Sequence, residues 1–318
     1  MSMLMNHYLA TDELAARLGL GAELRASLGQ NYERWDGKGP MGLKGGEICI
    51  SSRLVNLADV VELFHRFGGI EAAIEVARKR SGGQFDPRLV RLFCDEAEGL
   101  LGDLDAATGW DEVIAAEPAL EVQLSDEEFE DALAAIGDFA DLKSPWTIGH
   151  SHAVGELADE AGRLYGLPED DVTLLRRAAL VHDIGRLGVS NAIWDKRGTL
   201  TQSEVERLRL HPYLTERMLA FSPLLAPLGA IAVQHHERLD GSGYPRALSG
   251  DAIMPAGRIL AAADVYQTMT EMRPHRSART LQAAAAGLRA MVAAGRIDGD
   301  GGSMRPRERA GARTSSWS

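Results

Sequence analysis

Along most of the chain, apolar residues recur at steps of three and four, alanine and leucine are frequent, and alternating β-branched runs are rare. That pattern predicts helices. Phe129, Leu133, Ile136 and Ala140 form one apolar stripe. It follows Asp126, Glu127 and Glu128, whose charges suit a helix N-terminus, and Ser125, a cap three residues before Glu128. Leu157, Ala161 and Leu164 predict a second stripe, ending near Gly166 and Pro168. Leu174 to Val181 reads as a buried helix that runs directly into His182 and Asp183. Leu281 to Ala294 predicts an alanine-rich helix stopping near Gly295. The expected fold class is all-α, with Gly- and Pro-containing loops.

The chain also repeats itself. Glu33-Arg34-Trp35-Asp36-Gly37-Lys38-Gly39-Pro40 matches Glu237-Arg238-Leu239-Asp240-Gly241-Ser242-Gly243-Tyr244-Pro245 at an offset of 204, the first copy lacking the tyrosine. Past that missing residue the offset becomes 205: Arg53 matches Arg258, and Ala58-Asp59-Val60 matches Ala263-Asp264-Val265. A chance match would not shift by the deleted residue and then resume, so the chain carries two related units, the first shorter and altered. The expected organisation is a degenerate helical unit over 1–85, an acidic helical connector over 86–145, a larger helical domain over 146–296, and a disordered tail over 297–318.

Charge adjusts this picture. The formal net charge is −12, with 34 Lys and Arg against 46 Asp and Glu. Seventeen acidic residues and two basic ones fall between Asp86 and Asp141, so the remainder of the chain is close to neutral. The run reads mainly as a solvated set of connector helices. An acidic total argues against a general nucleic-acid surface, which needs clustered cations. Asp12 to Leu20 resembles the first half of a helix-turn-helix, but no Arg- and Lys-rich recognition helix follows it. Two cysteines, Cys49 and Cys94, make no disulfide framework and suit a reducing compartment. No apolar run approaches the roughly 20 residues that span a bilayer. A cytoplasmic location without membrane association is expected.

Candidate chemistry concentrates in the second unit. His150, His182, Asp183, His211, His235, His236 and Asp264 are separated by 32, 28, 24 and 28 residues, counting the two adjacent pairs as single stations. Each gap fits one helix plus a loop or two short helices, so successive helices of a bundle can each deliver a ligand to one interior point. Imidazole and carboxylate together suit iron, manganese, zinc or similar ions. Adjacent donors in His182-Asp183 and His235-His236 suggest two ions sharing ligands, about 3.5–4 Å apart, activating a hydroxide toward a phosphoryl centre. His152, two residues from His150, faces another side of its helix and reads as a surface residue or one supporting a ligand. Asp240, beside Gly241 and Gly243, is expected to cap backbone N–H groups of its loop.

His182-Asp183-Ile184-Gly185-Arg186-Leu187-Gly188-Val189 resembles the signature of the HD superfamily of metal-dependent phosphohydrolases. His235-His236-Glu237-Arg238-Leu239-Asp240-Gly241-Ser242-Gly243-Tyr244-Pro245 resembles the second signature of its HD-GYP subfamily, and the likeness covers about Thr147 to Arg276. The resemblance implies an HD-type helical bundle, preceded by a smaller degenerate unit of related origin. It also implies hydrolysis of a cyclic dinucleotide, typically cyclic di-GMP, through a metal-activated hydroxide. The seven donors match the family's metal ligands, expected to hold two divalent transition metals, iron or manganese. Asp183 and Arg186 are expected in catalysis. Arg186, Gly243, Tyr244, Pro245 and Arg258 are expected at the substrate, with the Gly-Tyr-Pro loop also facing a GGDEF-type or other signalling partner. A homodimer is a further expectation.

Four departures from the family pattern stand out: Arg186 where lysine is usual, Trp146 where a third-metal glutamate would stand, and Asn191 and Gln267 where aspartate is frequent. The first unit keeps only Asp59 of the ligand set, with Asn31 and Tyr32 in place of the paired histidines. His7 is not assigned as a counterpart of His211. A structural or dimerising role is expected for that unit. The alternative for the whole chain is a non-catalytic module that binds nucleotide and metal and regulates a partner or transcription.

Overall fold

The computed structural model describes residues 11–102 and 124–299. Among the described residues every regular element is helical, with isolated β-bridges and no strand. The chain divides into two compact units, residues 1–129 and 130–318. No helix among the described residues is long and apolar enough to cross a membrane.

The first unit contains α1 (Ala22–Gly29), α2 (Ile50–Arg80) and α3 (Pro87–Leu101). Its core joins Leu57, Val61, Ala73 and Ala77 of α2 to Val90, Phe93, Ala97 and Leu101 of α3, with Phe85 between them. Residues from 87 to 101, expected in the connector, thus pack as part of this unit. Asp86 caps α3 by accepting the Arg88 N–H at 2.8 Å, with Pro87 at the helix start.

The divide between units falls in the first turn of α4 (Asp126–Asp141). Ser125 forms the predicted cap: the Glu128 N–H donates to Ser125 Oγ at 3.3 Å, and the Ser125 N–H donates back to Glu128 at 2.8 Å. The second unit continues with α5 (His150–Tyr165), α6 (Glu169–Val181), a 3₁₀ turn (Ile184–Gly188), α7 (Asn191–Trp194), α8 (Gln202–Arg209), α9 (His211–Leu219), α10 (Ala226–Ala232), α11 (Pro255–Thr270) and α12 (Leu281–Ala293). Helix α6 packs on α5, α10 and α11; α5 packs on α11; and α9 packs on both α10 and the 3₁₀ turn.

The buried face of α5 differs from the predicted stripe. Leu164 is 61% exposed and Leu157 only half-buried, while Val154, Gly155, Ala158, Ala161 and Gly162 face inward. Small residues occupy that face because α6 comes close: a Cβ on Gly162 would lie 3.2 Å from Leu175. Side-chain size, more than hydrophobicity, sets the packing here. Ile297, where the tail was expected to begin, is buried against α11 and α12. Positions from 300 onward, and His7, lie outside the described residues.

The internal repeat is visible as shared hydrogen bonding. Buried Glu33 accepts the N–H groups of Met41 and Leu43 at 2.6 and 2.9 Å. Buried Glu237 accepts those of Arg246 and Leu248 at 2.8 and 2.9 Å. The acceptors are related by 204 and the donors by 205, so the extra tyrosine is accommodated between them. Each loop also brings a glycine onto the glutamate backbone. A Cβ on Gly39 would lie 2.7 Å from Glu33 Cα, and one on Gly243 would lie 2.5 Å from Glu237 Cα.

Candidate metal centre

The seven candidate donors come from five stations in the second unit. His150 is the first residue of α5, and His182-Asp183 follows directly on α6. His211 opens α9, His235-His236 follows α10, and Asp264 lies within α11. The His-Asp turn is pinned to α9 by Thr215, whose hydroxyl donates to the His182 carbonyl at 2.9 Å and accepts the Gly185 N–H at 3.0 Å. Contact there is so close that a Cβ on Gly185 would sit 2.0 Å from the His211 carbonyl oxygen. Only glycine fits at that position.

Asp183 occupies the middle of the cluster. Its Oδ1 lies 3.4 Å from His211 Nε2 and 3.6 Å from His235 Nε2. Its Oδ2 lies 3.6 Å from His182 Nε2 and 3.8 Å from His150 Nε2. Asp264 is 3.3 Å from His150 Nε2 and 3.9 Å from His236 Nδ1. Three donor triads have ligand atoms within 4.8 Å of one another: His211, His235 and His236; His150, His182 and Asp264; His182, Asp183 and His235. The predicted donors are thus brought together, and all but His236 are buried.

Ring orientation follows from the helix ends. His182, His211 and His235 each place Nδ1 against a backbone carbonyl three residues earlier, at 2.7, 2.6 and 2.7 Å from Ala179, Leu208 and Ala232. Those carbonyls belong to the last turns of α6, α8 and α10, where intrahelical donors run out. With Nδ1–H so engaged, Nε2 turns its lone pair to the centre. His182 Nε2 is buried without a hydrogen-bond partner, an arrangement that is costly unless a cation accepts that lone pair. The donor set therefore fits divalent transition metals.

Electrostatics divides the imidazoles. Burial depresses His235 to about 3, helped by the neighbouring His182. Burial likewise lowers His211 and drives His236 far below its usual range. Burial opposes a charge on His150 too, but the carboxylates of Asp264 and Glu271 outweigh it and raise this ring to about 10. Desolvation works against the charged forms of Asp183 and Asp264. The facing imidazoles and Arg186 nonetheless hold Asp183 well below the ordinary carboxylate range, and His150, His236 and His235 do the same for Asp264. Buried Asp141 accepts the N–H and hydroxyl of Ser151, at 2.8 and 2.9 Å, and so fixes the start of α5.

A cavity of about 580 Å³ opens over the cluster, lined in part by Arg186, Trp194, Lys196, Arg197, Tyr244 and Arg273. Arg186 donates to Asp183 Oδ2 at 2.8 Å and lies over the Trp194 ring at 4.1 Å. Tyr244 stacks on His236 with ring centroids 4.7 Å apart. Asp240 accepts the Ser242 N–H at 2.9 Å, the loop-capping contact expected of it. Exposed His152 faces Asp138 at 3.2 Å, away from the cluster.

Arg258 corrects an expectation. Its guanidinium donates to the carbonyls of Ile253 and Gly250 and to Asp251 and Asp298, and it does not reach the cavity. Its repeat counterpart Arg53 is engaged in the same way, with Asp86 at 2.8 Å. Both arginines tie the start of a long helix to a downstream aspartate. Glu271 was not anticipated at all. It accepts from His150 Nδ1 at 3.0 and 3.1 Å. The signal was present in its spacing, since Asp264, Gln267 and Glu271 follow the three- and four-residue steps of one helical face.

Residues 135–301 match the HD domain family. The chain belongs to that family. Its second motif places it in the HD-GYP subfamily, as the sequence resemblance implied. Over 258 residues it is 39% identical to 3′3′-cGAMP-specific phosphodiesterase 3 of Vibrio cholerae, covering 80% of this chain and 56% of that one. Over 163 residues it is 36% identical to a cyclic di-GMP phosphodiesterase of Thermotoga maritima, covering 49% of this chain and 44% of that one. A crystal structure of a cyclic GMP-AMP-specific phosphodiesterase from V. cholerae, V-cGAP3, superimposes with a TM-score of 0.63 at 31% identity, covering 92% of this chain and 69% of that one. The chain spans about half the length of the curated relatives it matches.

Proposed function

We propose that this chain is a metal-dependent phosphodiesterase that hydrolyses a cyclic dinucleotide. The observation that carries the reading is the convergence of the imidazole and carboxylate donors around Asp183 at the base of a cavity walled by cations and aromatic rings. The printed activities of the V. cholerae and T. maritima relatives support the substrate class. A volume of about 580 Å³ suits a ligand of nucleotide size.

His150, His182, Asp183, His211, His235, His236 and Asp264 would hold two divalent ions. Bound there, such ions supply Lewis acidity toward the phosphodiester and lower the pKa of water into the neutral range. The remaining work falls to the chain. Arg186, held between Asp183 and Trp194, presents a fixed cation to the scissile phosphate and offsets charge that builds in the transition state. Its guanidinium can grip two phosphate oxygens, which the lysine usual in the family cannot. Tyr244 offers a ring face for a base at the mouth of the cluster.

Protein loaded with Mn²⁺ or Fe²⁺ is expected to linearise 3′3′-cGAMP or cyclic di-GMP, followed by chromatography of the products. His182→Ala is expected to lose on the order of 1000-fold or more in rate. Wild-type protein with two measured metals per chain and no turnover of any cyclic dinucleotide would overturn the proposal.

A further inference from the structure

Among the described residues, three of the four fully buried imidazoles are oriented by backbone carbonyls at helix C-termini, and His150 is the exception. It begins a helix instead of following one, because the residues before it form a turn closed by the Thr147-to-Ser144 and His150-to-Thr147 backbone bonds. No row of partnerless carbonyls precedes it. Glu271, at the end of α11, fills that role from 121 residues away in the sequence. Both of its oxygens lie within 3.1 Å of His150 Nδ1. Both are also held from behind. Gln267 Nε2 donates to Oε1 at 2.7 Å, and Arg273 Nη2 donates to Oε2 at 2.7 Å.

The geometry points to Glu271 as the positioning residue of the metal centre, with Gln267 and Arg273 as its brace: it fixes the His150 ring so that Nε2 faces the donor cluster, 3.3 Å from Asp264. A carboxylate differs from a carbonyl in this position. It anchors the ring through a charge-assisted hydrogen bond and makes the imidazole a stronger donor to a metal. Gln267 lies one helical turn before Glu271 along α11, and its amide steadies the acid. Arg273 also lines the cavity, so the brace joins the metal end of the site to the wall that would meet substrate.

The inference rests on the metal-dependent reading above, and the test separates the two. Metal content and chelator competition are measured on wild type, Glu271→Gln, Glu271→Asp and Glu271→Ala, with the Co²⁺ absorption spectrum as a report on ligand geometry. Glu271→Ala is expected to weaken retention of one of the two ions about 10- to 100-fold and to change the Co²⁺ spectrum, leaving the second ion in place. Glu271→Gln retains an acceptor without charge, so its retention is expected between Glu271→Ala and wild type. Gln267→Ala, which loosens the brace only, is expected to show the same change in weaker form. A folded Glu271→Ala protein with wild-type metal retention and spectrum would overturn this inference alone. Wild-type protein that binds metal yet cleaves no cyclic dinucleotide would overturn the proposed activity, while the Glu271 effect on metal retention would still stand.

Discussion

The loops at 30–53 and 234–258 are built on one hydrogen-bond plan and carry different chemistry. In the first, Gln30 Oε1 accepts the Cys49 N–H at 2.7 Å; in the second, Gln234 Oε1 accepts the Met254 N–H at 2.9 Å. Asp36 and Asp240 each accept the N–H two residues on, from Lys38 and Ser242. Between glutamine and glutamate, however, the second loop has His235-His236 and the first has Asn31-Tyr32. The following helices diverge too. Leu54 and Val55 of α2 are 48% and 51% exposed, whereas their counterparts Ile259 and Leu260 in α11 are fully buried. Helices α5 and α6 pack on α11, whereas α2 packs on α1 and α3. Asp59 keeps its place in the sequence yet lies exposed, while Asp264 is buried among imidazoles. Loop scaffold and metal-binding chemistry are therefore separable: buried acceptors preserve the backbone path after the donors are gone.

The sharpest way to break this comparison is to remove the two glutamates in turn. Glu33→Ala and Glu237→Ala each leave two loop N–H groups without their buried acceptor, at an expected cost of about 2–3 kcal/mol read from denaturant midpoints. Glu237→Ala is also expected to depress phosphodiesterase turnover, since its loop carries Tyr244. Glu33→Ala is expected to leave turnover of the folded protein intact, and its loss would show that the first loop takes part in the chemistry.

A second difference concerns acid. In metal-free protein the folded His235 stays neutral down to about 3, while an imidazole in the unfolded chain titrates near about 6.5. Between those values the unfolded state binds more protons, so stability falls as pH falls through that window. His211 and His236 act in the same direction. His150 opposes them: its charged form stabilises the fold below the unfolded value and is lost as pH rises through about 10. Melting of chelator-treated protein from pH 7 to pH 4 is expected to show the second unit weakening first. Equal loss in both units would contradict this.

The smallest expected effect is a null result. The double variant Asn31→His with Tyr32→His restores the paired imidazoles to the first loop without a His-Asp turn or a covering helix. Metal content is expected to stay at the wild-type value. An additional tightly held ion would show that two histidines and Asp59 suffice.

Much of this was legible in the chain. The shift from 204 to 205 foretold the two matching loops, Ser125 foretold its cap, and the donor spacing foretold a shared interior point. Where the sequence misled, the cause was physical. The stripe on α5 was read from leucines, but close helix approach favours Gly155, Ala158 and Gly162. Arg258 was placed at the substrate because it matches a family arginine near the phosphates, whereas in both repeat copies this arginine ties a helix start to a downstream aspartate.

By itself the sequence determined which donors exist, on which helices, and that the loop motif is duplicated, because covalent order and helical period fix those directly. Only the tertiary structure decided that Asp183 lies among four imidazoles and that Glu271 supports His150 while Arg258 turns away. Those choices depend on helix ends meeting across long separations, where burial and hydrogen-bond satisfaction select one partner from many.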